Sequence, residues 1–222
     1  MKYSISPRIV IAFFAVLLMA GCATKKAPLD YAAFKESRPR SILVLPPINN
    51  SPEVTATYSV MSFVTKPLSE AGYYVMPVGM VSQAFKENGM TQPTDMHQTA
   101  PEKLRQIFGA DSALYITVTK FGSTYVVVNS ETLVRVEGKL IDLKTGATLW
   151  QGIAQASSAE AQQQQQGGLA VLLITAIIKQ VIATAREDGH RYSGVATERL
   201  LATGVPKNGL LFGPRSPNYG KD

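Results

Sequence analysis

The sequence predicts an α/β sandwich of two or three layers, with a mixed sheet, helices on its faces and a C-terminal helical segment. Three patterns predict it. Residues 41–45, Ser-Ile-Leu-Val-Leu, form a short apolar run closed by Pro46-Pro47, as a strand buried on both faces requires. Two stretches of helical spacing follow within the next 50 residues. Then 113–157 alternates with period two, as half-buried strands do. Two βα units followed by a meander make a mixed sheet with helices packed on it.

The elements follow in order. After the 41–45 strand, Asn49-Asn50-Ser51-Pro52 reads as a loop. Residues 58–71 place Tyr58, Met61, Phe63, Val64, Leu68 and Ala71 near helical spacing and stop at Gly72, with Pro67 weakening the pattern. Tyr73 to Pro77 is a second short strand. A helix over 78–88 ends at Asn88-Gly89, a common C-terminal stop. Gln92-Pro93-Thr94-Asp95-Met96-His97 reads as a polar loop. A helix over 100–108 accepts Pro101 in its first turn. Ala113–Phe121 alternates, Gly122-Ser123 predicts a turn, and Tyr125–Val128 is β-branched and aromatic. Leu133–Leu143 alternates again, with Val134, Val136 and Leu140 on one face and Arg135, Glu137 and Lys139 on the other. Asp142-Leu143-Lys144-Thr145-Gly146 is a turn and 147–157 a returning strand carrying Trp150, so the pair reads as a hairpin. A final helix is expected near 193–203.

The first 21 residues differ from the rest. Lys2 and Arg8 make a basic start, and Ile9–Met19 gives 11 apolar residues without a charge. That length suits a signal-peptide core, whereas a membrane-spanning helix needs roughly 20. The run closes on Leu18-Met19-Ala20-Gly21-Cys22, which resembles the lipobox of bacterial lipoproteins except that Met19 stands where Leu is usual. The expected organisation is a signal peptide over 1–21, a lipidated tether over 22–40, one α/β domain over 41–203 and an extended tail over 204–222. Leu18, Met19, Ala20 and Gly21 are the expected peptidase recognition residues and Cys22 the acylated one, with membrane lipid as its partner. Several acyl chains make such an anchor lasting, where one chain holds only marginally. Ala23 after the cysteine, in place of Asp, resembles a signal for outer-membrane sorting.

Cys22 is the only cysteine in 222 residues, so an intramolecular disulfide or a CxxC metal site is excluded. The net charge is +6, and without Lys2 and Arg8 it falls to +4. That mild excess does not point to nucleic acid. No Gly-x-Ser-x-Gly, phosphate-binding loop or GxGxxG occurs. The two histidines, His97 and His190, are too few and too far apart for zinc. His97 is read as solvated in a polar loop. His190 is read at the end of an apolar helix, with Gly189 as its C-cap. No metal or other cofactor is expected.

Gln162–Gln166 and Gly167-Gly168 precede ten uncharged residues, Leu169–Ile178. Apolar on all sides, this helix is buried on all sides. It forms either a central core helix or a contact with another protomer or partner, through Leu169, Leu172, Leu173, Ile174, Ile177 and Ile178. It is too short to span a bilayer.

The lipobox, Ser41-Ile42-Leu43-Val44-Leu45-Pro46-Pro47-Ile48-Asn49-Asn50, and Leu140–Trp150 together resemble a family of Gram-negative lipoproteins that includes a Neisseria surface-antigen candidate. The strand-Pro-Pro-Ile-Asn-Asn start and the hairpin Asp142–Trp150 also resemble pieces of the curli-secretion channel lipoproteins and of the amino-terminal domain of the Tol-system translocation protein. The resemblance implies a periplasmic α/β fold, an outer-membrane location facing the periplasm or the cell surface, and a curli-secretion-like lipoprotein partner. It brings no catalytic residues. The expected function is a non-enzymatic structural or accessory component of an envelope assembly or export system, self-associating as a homo-oligomer. A ligand-binding lipoprotein serving a transporter is the alternative. An envelope hydrolase would require His190 and Asp188 to meet in a cleft.

Overall fold

The computed structural model describes residues 29–126, 129–163, 188–205 and 208–221. The lipobox, Cys22 and the 169–183 segment lie outside the described residues.

Six strands form one mixed sheet: β1 (Ser41–Val44), β2 (Ile48–Asn49), β3 (Tyr74–Val75), β4 (Ser112–Val126), β5 (Asn129–Asp142) and β6 (Thr148–Ser157). The order is β3-β1-β4-β5-β6, with β2 also beside β4. β1 runs parallel to β3 and β4, whereas β4, β5 and β6 are antiparallel. The helices are α1 (Ala32–Ser37), α2 (Ala56–Glu70), α3 (Val78–Glu87), α4 (Pro93–His97), α5 (Pro101–Phe108), α6 (Ser158–Gln163) and α7 (Asp188–Leu200).

The apolar alternation decides which helices go where. Ile42 and Val44 point to one side of β1 with Leu114, Val136, Leu140 and Trp150, where α2 and α7 pack. Leu43 and Leu45 point to the other side, with Val81 and Phe85 of α3, Met96 of α4 and Leu104 of α5. The expected sandwich is therefore present, three layers deep at β1. Pro67 falls in the last turn of α2 and does not end it: the helix runs to Glu70, and the Pro67 carbonyl accepts from Ala71 N–H at 2.9 Å.

Five local expectations are corrected. First, Gly122-Ser123 is not a turn, because β4 runs on to Val126 and Gly122 pairs with Leu133. Gly122 has φ 120°, a conformation that other residues rarely adopt, so this glycine serves a strand. A register shift between Val118 and Lys120 inserts one residue. That shift lets odd-numbered Phe121 join even-numbered Ile116 and Val118 in the same core.

Second, the 22–40 tether gives way to structure at Leu29. α1 buries Phe34, and the Tyr31 hydroxyl donates to Gly209 O at 2.6 Å. Third, the tail from 204 is not extended into solvent: Leu210 and Leu211 are buried. Gly213 N–H donates to Ala71 O at 2.7 Å, Arg215 N–H to Gly72 O at 3.1 Å, and the Tyr73 hydroxyl to Leu211 O at 2.6 Å. Fourth, Gly189 and His190 lie within α7, so Gly189 is no C-cap, and α7 ends at Leu200 before the expected 203. Fifth, residues 93–97 form α4.

Candidate functional site

Among the described residues, two surfaces of the sheet's antiparallel half are left open. The face of β4–β6 opposite α2 and α7 carries the polar members of the alternation. Tyr115 and Thr117 of β4, Glu137 and Lys139 of β5, and Gln151 and Ile153 of β6 line a groove of about 380 Å³ there. Ile153 is 51% exposed. Arg135 and Glu137 stand 4.0 Å apart on half-exposed side chains, a pair that contributes little. Burial pushes the Tyr115 hydroxyl above its usual range, so it stays protonated at neutral pH.

The second surface is a groove of about 430 Å³ beside β6, lined by Leu29, Asp30, Trp150, Ile153, Leu200 and Val205 among others. Trp150 forms its floor. Its indole N–H donates to Asn208 O at 3.1 Å, which satisfies a buried donor. Gly152 gives the ring room: a Cβ there would come within 2.5 Å of it. Leu29, Trp150, Ile153, Leu200 and Val205 give the β6 groove mainly apolar walls, whereas Thr117, Glu137, Lys139 and Gln151 make the sheet-face groove polar.

Each histidine has a structural partner. His97 Nε2 donates to Pro46 O at 2.9 Å, and its ring meets Tyr115 edge-on at 5.2 Å. It is therefore not solvated as its polar neighbours suggested. Burial lowers its pKa, with the Pro46 contact opposing. His190 Nδ1 lies 2.7 Å from Ser59 Oγ, and its ring centroid is 4.7 Å from that of Phe63. A serine beside a histidine is the beginning of a nucleophilic pair. Here the serine is buried inside α2, with its backbone N–H donating to Thr55 O. The contact joins α2 to α7. Asp188 and His190 share α7, and the His190 ring is turned to Ser59. Among the described residues no cluster of His, Cys, Asp and Glu could hold a metal ion.

Two aspartates that carried no functional expectation tie the strand ends together. Asp111 accepts from Arg40 N–H at 2.9 Å, Ser41 N–H at 3.1 Å and Ser41 Oγ at 3.0 Å. Asp142 accepts from the Ser37 hydroxyl and from the N–H groups of Lys144 and Thr145. Burial raises the Asp142 pKa, but these donors outweigh it and hold the carboxyl below its ordinary range. Both are stitches between elements far apart in sequence.

A family model described as "Putative lipoprotein GNA1162-like" matches residues 29–215. The chain belongs to the GNA1162-like lipoprotein family. The matched span begins at Leu29, where the described fold begins, and takes in α1 and the returning segment over Gly72. "Putative lipoprotein NMB1124/NMB1162" of Neisseria meningitidis serogroup B is 43% identical over 208 residues, covering 93% of this chain and 95% of the relative. The crystal structure of lipoprotein GNA1162 from Neisseria meningitidis is 41% identical with a TM-score of 0.53. It covers 66% of this chain and 100% of that one. The PelC dodecamer from Paraburkholderia phytofirmans is 14% identical with a TM-score of 0.43, covering 79% of this chain and 91% of that chain. No helix among the described residues is long and apolar enough to cross a membrane.

Proposed function

We propose that this member of the GNA1162-like family is an outer-membrane lipoprotein acylated on Cys22, processed at Leu18-Met19-Ala20-Gly21. It acts as a non-enzymatic structural or accessory component of an envelope assembly or export system. The observation that carries the reading is the single cysteine, placed directly after an 11-residue apolar run and small residues, in a chain of a lipoprotein family. Ala23 after the cysteine supports the outer membrane. A serine–histidine contact that joins α2 to α7 as a packing link supports the non-enzymatic part. Self-association, and contact with a curli-secretion-like lipoprotein, is assigned to Leu169, Leu172, Leu173, Ile174, Ile177 and Ile178.

The test compares the full-length chain with Cys22→Ala in a Gram-negative host, by palmitate labelling and membrane fractionation. Label and outer-membrane position are expected in the wild type and lost in the variant. A wild-type chain that is unlabelled overturns the reading. Proteins that co-purify with the labelled chain then identify the assembly.

A further inference from the structure

We infer that the face carrying α1 and the returning segment over Gly72 rests on an anionic lipid surface, a step that depends on acylation at Cys22. Five cations gather on this face. Lys35 and Arg38 line a groove of about 410 Å³ with Phe212 and Tyr219. Lys221 follows two residues after Tyr219. Arg40 O accepts from Tyr74 N–H at 3.0 Å, and the Arg215 guanidinium lies 5.6 Å from the centre of the Tyr74 ring. All five cations are exposed, and none joins an ion pair among the described residues. The neighbouring Asp111 and Asp142 carboxylates are already engaged by strand-end donors, which leaves Asp30, Glu36 and Glu70 as exposed acids at the border among the described residues.

The two tyrosines are 46% (Tyr74) and 44% (Tyr219) exposed. Rings with a polar tip beside lysine and arginine suit the headgroup layer, where the ring meets acyl chains and the cation meets phosphate. Anionic headgroups attract each such cation, and the attraction fades within a screening length. The chain length brings the face within that range. Cys22 and Leu29 are seven residues apart, at most about 25 Å when fully extended, and α1 begins three residues later.

The experiment places the acylated full-length chain in vesicles of phosphatidylcholine, with and without phosphatidylglycerol. An amine-reactive label is read lysine by lysine by mass spectrometry. Lys35 and Lys221 should label about threefold or more slowly on the anionic vesicles. Lys86 on α3 and Lys103 on α5, exposed on the other helical layer, should label equally on both. Arg38→Glu with Arg215→Glu should abolish the difference while circular dichroism stays unchanged. Equal labelling of Lys35 and Lys221 on both vesicles overturns the inference alone. A chain whose mass shows no acyl group overturns the anchor reading and this inference with it.

Discussion

The two faces of β4–β6 share one backbone and differ in every other respect. On one face Leu114, Ile116, Val118, Val134, Val136 and Leu140 are fully buried beneath α2 and α7. On the other, the intervening Tyr115, Thr117, Arg135, Glu137 and Lys139 line or flank an open groove. At β1 the contrast disappears, because Leu43 and Leu45 are as buried as Ile42 and Val44. Among the described residues the parallel edge of the sheet is thus a three-layer core, while the antiparallel half is a two-layer one. An alternating strand leaves a face wet, and a continuous apolar strand asks for cover on both sides.

The contrast is broken most severely at its buried member. Val136→Asp places an unpaired charge beneath α2 and α7 and should cost about 4 kcal/mol or more, enough to abolish cooperative unfolding in urea. A folded variant with an unchanged midpoint would sink this account of the core. Trp150→Ala removes the ring that floors the β6 groove together with its bond to Asn208. It should cost about 3–5 kcal/mol, seen as a lower thermal midpoint with the fold retained or nearly so. Glu137→Ala, one residue from Val136 but on the open face, should move stability by no more than about 0.5 kcal/mol. A large loss there would mean that something covers the face.

The same contrast explains which parts of the fold were legible. Strands and their pairing were readable in β1, β5 and β6, where alternation and turn chemistry agree. The helices α2, α3 and α5 were readable from spacing and stop signals. α1 was not: it is six residues long with Phe34 as its buried residue, so its sequence has a linker's composition and only docking gives it structure. Gly122 misled because a glycine that a strand needs for its backbone looks like one that a turn needs. The bulge before it hid the continuity further, by shifting the apolar residues from even to odd positions. The docking of the tail through Leu210 and Leu211 was not legible, because where it docks depends on Ala71 and Gly72, far away in the chain. For the candidate site, the polar face of β5 was legible in Arg135-x-Glu137-x-Lys139. The partners of His97 and His190, Pro46 and Ser59, were not, because both contacts join separate elements.

The hydrogen bond from Tyr31 to Gly209 spans 178 positions. Whatever delivers this chain, whether a ribosome or a pore in a membrane, delivers its amino-terminal side first. Tyr31 and Phe34 therefore emerge long before the segment around Leu210 that closes over them. The sandwich can nucleate early, yet its last wall waits for the segment over 208–211 to arrive. Closure of the sandwich thus reports that delivery has passed Leu211: a chain halted before Asn208 leaves Trp150 and Tyr73 without their carbonyl partners, exposed to quality-control proteases that cleave unfinished chains.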